Sequence, residues 1–180
     1  TDKDLLGLPH MTDEKMQAAV SIMVEMATAA YTVNRELSTM LWLEMLRIHL
    51  KHGIHPMAAF AFTAYGVILV VGLGDISAGT RFGQLAFKIL KKYENKNLMA
   101  PILNTYNLMI RHWTEPASAS AKAGLYVYQL AMETGHLEAA ALGLFLHDTY
   151  SLAAGMPLPR LEKLMKDHYG RIKKMNQHHI

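Results

Sequence analysis

The sequence predicts an all-α fold, a solenoid of about eight antiparallel helices stacked as hairpins. Three observations carry that prediction. Helix breakers recur at a near-constant interval: Asn34, Gly53, Gly74, Asn95, Pro116, Gly135 and Gly155 stand 19 to 21 residues apart. The stretches between them are apolar-rich with helical spacing, and none shows the short β-branched alternation of a strand. The composition is core-heavy, 51% hydrophobic and 18% charged over 180 residues, which is far from disorder. Two helices per repeat of roughly 40 residues bury a core between neighbouring repeats and leave long open surfaces. Folds of that kind usually bind partners rather than catalyse.

Residues 1–12 read as a loop entering the first helix, which Thr12 can cap and whose positive end suits Asp13 and Glu14. That helix runs to about Thr32, with Met16, Val20, Met23, Ala27 and Tyr31 on one side. The second runs from about Glu36 to His52, with Glu44, Arg47 and Lys51 as a narrow polar stripe. Pro56 suits the first turn of the third, where its missing N–H costs nothing. Asp75 caps the fourth, in which Phe82, Leu85, Ala86, Ile89, Leu90 and Tyr93 follow helical spacing. Arg81, Gln84, Lys88 and Lys91 fill its wet face. The fifth follows Asn97, with Pro101 near its first turn. Thr114 and Pro116 stop it and start the sixth, which ends at Gly135. The seventh is rich in small residues, Ala139, Ala140, Ala141 and Gly143, which let helices pack closely. Pro157 and Pro159 open the eighth, whose stripe of Leu161, Leu164, Met165, His168, Tyr169, Ile172 and Met175 is dressed by six Lys or Arg. Strict alternation of pairs leaves one point open: Gly74-Asp75 and Gly135-His136 both resemble a turn inside a repeat, yet lie three helices apart.

The whole of 1–180 reads as a single helical-repeat domain, large enough to bury about 70% of its unfolded surface. The start at Thr1 rather than Met reads as a segment of a longer protein, with the eighth helix, 157–176, as a cap or linker. The polar opening Thr1-Asp2-Lys3-Asp4 holds no signal-peptide pattern. Cysteine is absent, so disulfides and thiolate metal sites are excluded, and a cytoplasmic setting is expected. A net charge of +3 is too small to argue for nucleic acid.

Several features invite chemistry. Residues 57–74 carry no charge over 18 positions, the length of a membrane span, but Gly66, Gly72 and the register of the repeat favour a buried helix. Gly72-Leu-Gly74-Asp-Ile-Ser-Ala-Gly79 lacks the strand and the Gly-Lys-Ser/Thr ending of a phosphate loop; Gly79 and Gly83 fit close helix packing instead. Ser77 lacks a nucleophile elbow. His49, His52 and His55 are spaced by three, with no further ligand readable nearby, and His178-His179 sit at the chain end. The most informative polar group lies on the fifth helix. Asn104, Asn107 and Arg111 share one face, with Tyr106, His112 and Trp113 close by. Asparagine is a poor helix-interior residue unless its side chain has a task, and a peptide groove needs such groups beside aromatics. An ordinary solvated face is the competing account. His147, Asp148 and Tyr150 repeat the pattern more weakly. The candidate partner-binding residues are therefore Asn104, Asn107, Arg111, Trp113, His147 and Asp148, with no catalytic residue, metal or cofactor expected.

Five ordered pieces resemble one region of the large bacterial signalling proteins that join a serine/threonine kinase-like domain, an AAA-type predicted ATPase and a C-terminal sensor histidine kinase. They are Leu50-Lys-His-Gly-Ile-His-Pro-Met-Ala-Ala-Phe-Ala-Phe, Tyr65-Gly-Val-Ile-Leu, Gly74-Asp-Ile-Ser-Ala-Gly-Thr-Arg-Phe-Gly-Gln-Leu-Ala, Ile110-Arg-His-Trp and Glu133-Thr-Gly-His-Leu-Glu-Ala-Ala. The resemblance spans about residues 12–158. It implies a tetratricopeptide-like right-handed α-α superhelix linking the ATPase to the sensor half. Gly66, Gly74 and Ala86 echo the small positions of that repeat, although the period exceeds the standard ~34 residues. The family's catalytic motifs lie outside the region and are missing here.

The expected function is a non-catalytic protein–protein or interdomain interaction scaffold in a signal-transduction protein. Its partners would be adjacent domains or a peptide, with no nucleic acid and no membrane span. A homodimer through an end helix is expected from the methionine-rich first helix and the amphipathic eighth. The alternatives are an all-helical His-dependent metal-binding protein or enzyme, and a nucleic-acid-binding helical repeat, which needs basic residues along one continuous face.

Overall fold

The computed structural model describes residues 1–175. They form nine α-helices, one turn of π-helix and one 3₁₀ turn, with a single isolated bridge in place of any strand among the described residues. The chain divides into two compact units, Thr1–Asn95 and the remainder from Lys96. The first holds α1 (Asp2–Leu6), α2 (Glu14–Val33), α3 (Arg35–His52), α4 (Ala58–Val67), the π turn (Ile68–Gly72) and α5 (Ile76–Lys92). The second holds α6 (Lys96–Met109), the 3₁₀ turn (Arg111–Trp113), α7 (Ala117–Thr134), α8 (Leu137–Ala153) and α9 (Leu158–Lys174).

The periodic breakers sit at helix boundaries. Asn34 alone connects α2 to α3, and its side chain accepts from the Leu37 N–H at 3.0 Å. Gly53, Gly74, Gly135 and Gly155 end helices with φ of 99°, 72°, 76° and 81°, values that L side chains rarely adopt. Pro116 is the N-cap of α7.

Four expectations are corrected. Thr12 does not cap α2; the cap is Asp13, whose side chain accepts from Lys15 N at 3.0 Å and Met16 N at 3.3 Å. Residues 1–12 are not all loop. Thr1 and Asp4 exchange the two bonds of a capping box and start α1, a helix too short for any apolar period to announce. Pro56 precedes its helix: it lies in a turn, with Ala58 N donating to His55 O at 2.8 Å, and α4 starts at Ala58. The uncharged run 57–74 is not one continuous α-helix, because α4 widens into the π turn before ending at Gly74.

In the first unit α2 folds back along α3. Ser38 Oγ donates to Ala27 O at 3.0 Å, and Tyr31 stacks on Trp42 at 5.7 Å. Val24, Ala27, Met45 and Ala61 share one buried cluster, and Met11, Val20 and Ile48 another. The α4–α5 hairpin closes on Gly79, where a Cβ would lie 2.6 Å from Gly66 O. Tyr65 meets Phe82 edge-on at 4.8 Å. Phe62 is fully buried beside them, and truncating such a ring to alanine costs about 3–5 kcal/mol. The entering segment is pinned to the end of α3, with Ile54 N donating to Pro9 O at 2.7 Å and Met11 N to Ile54 O at 3.0 Å. Gly53 makes room, since a Cβ there would stand 2.5 Å from Pro9 O. α1 is clipped to α5 by Arg81–Asp2 at 2.6 Å and by Lys92 Nζ donating to Leu6 O at 3.1 Å.

In the second unit α7 and α8 form the tightest hairpin. A Cβ on Gly124 would lie 2.6 Å from Gly143 O, and one on Gly143 2.8 Å from Gly124 O. α6 packs on both helices, completing a core of Ala100, Val127, Leu130, Ala131, Ala139 and Ala140. α9 lies on α8. The turns at Gly74 and Gly135 are therefore both inside glycine-closed hairpins, because α6 intervenes in chain order as a helix outside both of them.

Gly124→Ala should destabilise the protein by roughly 1–3 kcal/mol, since the added methyl meets backbone that cannot rotate away. Gly170→Ala, in α9 where a Cβ meets nothing within 4 Å, should be neutral or stabilise by up to ~1 kcal/mol. Denaturant unfolding of the two variants checks the contrast.

Candidate functional site

The expected polar face of α6 exists, but it points inward. Asn104 and Asn107 are 2% and 0% exposed. Asn104 Nδ2 donates to the Ala139 carbonyl at 2.8 Å, tying α6 to the first turn of α8. Asn107 Oδ1 accepts from Arg111 Nη1 at 3.3 Å, and the Asn107 carbonyl accepts from the Tyr150 hydroxyl at 3.1 Å. This corrects both expectations for the two asparagines. They form neither an open groove nor a solvated face, and a partner cannot reach them in this conformation. Their helix-interior positions are explained by bonds that a leucine could not make, although Asn104 Oδ1 and Asn107 Nδ2 find no partner among the described residues.

Arg111 and Trp113 lie where this network comes to the surface. Arg111, in the 3₁₀ turn, holds Glu115 through Nε at 2.9 Å and Nη2 at 2.8 Å. Trp113 is 52% exposed, its ring 5.2 Å from His112, which in turn lies 6.1 Å from Tyr150. Burial lowers the His112 pKa, opposed by a hydrogen bond with the Asn107 backbone. Burial also raises the Tyr150 and Tyr106 phenols, with the Glu115 charge adding to the second. The patch presents the Arg111–Glu115 ion pair, the His112 imidazole and aromatic rings.

His147 and Asp148 are buried as well, and sequence reasoning missed the residue that joins them. His147 Nδ1 donates to the Ala121 carbonyl of α7 at 2.9 Å. Asp148 Oδ1 accepts from His168 Nδ1 at 2.7 Å, and the two imidazoles stand 5.6 Å apart. One turn of α8 thus fastens α7 on one side and α9 on the other. The signal for His168 was its place on an otherwise apolar stripe. A buried imidazole needs a polar partner, and the partner is an aspartate on a helix of small residues.

The remaining candidates separate. His49 is fully buried, with Nδ1 directed at Gly53 O at 3.3 Å. Desolvation lowers its pKa from 6.5 to about 4, against the Gly53 bond and with a contribution from His55. Among the described residues no group of three or more His, Cys, Asp or Glu could hold a metal ion; His178 and His179 lie outside them. Ser77 is an exposed first-turn residue of α5, and Asp75 caps that helix by accepting from Ala78 N at 2.9 Å. Among the described residues no helix is long and apolar enough to cross a membrane. Several basic side chains are engaged by acids: Arg81 and Lys88 with Asp2, Lys166 with Glu162, Arg171 with Asp167.

Two outcomes are expected. Asp148→Ala leaves His168 buried without its acceptor and should cost about 1–3 kcal/mol, whereas Asp148→Leu combined with His168→Leu should recover most of that loss in a double-mutant cycle. The second concerns His49. Its folded pKa lies below its unfolded one, so the unfolded state binds the extra proton between the two values. Stability is full above pH 6.5 and falls as pH drops toward 4, by about 3 kcal/mol from this group. Unfolding free energies at pH 7 and pH 4.5 should differ less in His49→Gln than in the parent.

No protein-family model matches the chain, and no solved structure matches it. Over 158 residues, 85% of the chain, it is 25% identical to hybrid signal transduction histidine kinase G of Dictyostelium discoideum. The chain spans about 4% of that protein's length. It is therefore distantly similar to a segment of a signal-transduction protein.

Proposed function

We propose that the chain is a non-catalytic, tetratricopeptide-like interaction module of a larger signal-transduction protein, connecting neighbouring domains or holding a peptide. The observation that carries this reading is the similarity along 158 residues to a hybrid signal transduction histidine kinase. It runs through most of the helices. The way the polar side chains are used agrees with it. Asn104, His147, Asp148 and His168 spend their hydrogen bonds on neighbouring helices, which suits a scaffold whose helix positions must be fixed. The superhelical arrangement and a parent protein with kinase-like and ATPase domains belong to the same proposal.

The surface offered to a partner is the end of α6. Trp113 and Arg111 combine a large exposed ring with a forked cation, the residue types that dominate binding energy at interfaces. The acidic Glu115 beside Arg111 sets a polar rim. Arg111→Ala with Trp113→Ala should leave helical content unchanged. It should weaken binding to the parent protein lacking this segment on the order of tenfold or more, about 1.4 kcal/mol. Calorimetric titration of that parent protein against the module measures it; equal affinity for parent and variant modules would exclude this surface.

A further inference from the structure

We infer that the outer face of α9 pairs with the same face of a second copy of this chain, antiparallel and centred near Met165. The inference stands apart from the signalling reading. α9 carries more apolar surface than its own unit covers. Leu161 and His168 are buried, and Met175 packs against the unit's core cluster. Leu158, Met165 and Tyr169 point elsewhere, exposed by 68%, 48% and 68%. With Glu162 they fall within a sector of roughly 60°, at 3.6 residues per turn. These residues, with Pro159 and Lys166, line a shallow and mainly apolar groove along the helix.

The order of charges in the groove points to its occupant. Glu162 and Lys166 stand one turn apart and hold each other at 2.6 Å. A parallel second copy would set like charges abreast. An antiparallel copy centred near residue 164 sets each Glu162 opposite Lys166 of the other copy. In that register Tyr169 reaches Leu158 and Pro159 of the second copy, and the two Met165 side chains meet at the axis. By the same helical phase Arg160, Lys163, Arg171 and Lys174 lie on the opposite side of α9, away from the contact; Lys173 stands at its rim. The face is thus self-complementary in shape and charge, as a twofold contact requires. One helix from each copy makes a small interface, in the weak class below about 1,200 Å², so a reversible dimer is expected.

Sedimentation equilibrium over a wide concentration range tests the pairing, with circular dichroism and unfolding midpoints as controls for folding. The mass should rise from monomer to dimer, and Met165→Glu and Tyr169→Glu should each remain monomeric while folded. Glu162→Lys should weaken association, and Glu162→Lys with Lys166→Glu should restore it, because the exchange preserves complementarity. The chain has no cysteine, so single cysteines report the register. Under mild oxidation Met165→Cys should cross-link two copies. Tyr169→Cys should not, its two sulfurs being separated by about 15 Å along the axis at 1.5 Å per residue. A parent monomeric at every concentration overturns the inference and leaves the face to a helix of another chain. Association unaffected by Met165→Glu, a charge exchange that restores nothing, or cross-linking through Tyr169→Cys overturns it too.

Discussion

Close approach of helices, permitted by glycine in the α4–α5 and α7–α8 hairpins and by alanine elsewhere, sets the spacing on which the other interactions rely. At Gly124 and Gly143 each backbone stands where the other's side chain would be, and the Gly66 carbonyl stands where a side chain on Gly79 would be. Close approach brings the carbonyls of one helix within reach of short polar side chains on the next. His147 reaches Ala121 O, and in the same manner Ser38 reaches Ala27 O and Asn104 reaches Ala139 O. In each case the accepting residue is alanine, which leaves its carbonyl uncovered. Larger residues at those positions would push the helices apart and leave the donors buried and unpaired, at a cost of about 1–3 kcal/mol each. Small residues and buried polar groups are therefore one device: the first brings the carbonyls close, and the second fixes rotation and register.

The helix boundaries that were readable are written in residues with a distinct backbone preference. Positive φ at Gly53, Gly74, Gly135 and Gly155 and the cap at Asn34 leave little choice. The elements that escaped lacked such marks. α1 depends on two reciprocal hydrogen bonds of Thr1 and Asp4 rather than on a period. The π turn at Ile68–Gly72 lies in a run so uniformly apolar that its phase carries no information.

The candidate site was readable in part, and its direction was not. Helical spacing places Asn104, Asn107 and Arg111 on one face; in the structure the first two share the buried side of α6 and Arg111 lies in the 3₁₀ turn beyond its end, and spacing along one helix cannot say which neighbour a face meets. Asparagine in mid-helix signals a side chain with a task; here Asn104 binds a carbonyl of α8 and Asn107 accepts from Arg111, while Arg111, His112 and Trp113 come to the surface. His168 was hidden by its company. Among leucines and isoleucine it reads as filler, and its partner Asp148 is 20 residues away on another helix. Pairings of that kind are set by how α9 crosses α8, which no local pattern encodes.

The π turn has a consequence for how this chain can vary. A π turn holds one residue more than the α-helix needs over the same rise, so it absorbs an inserted residue without displacing the helix downstream. Here Leu69 and Val70 keep their places in the interior, while Val71 and Leu73 are turned out by 64% and 72% exposure. Loss of one residue from 68–72 would return the segment to α geometry and withdraw that apolar pair from the hairpin tip, with Asp75 still able to cap α5. The segment is thus a point where length can change by one while the α4–α5 hairpin is preserved, and related chains differing there would carry different tips on the same frame.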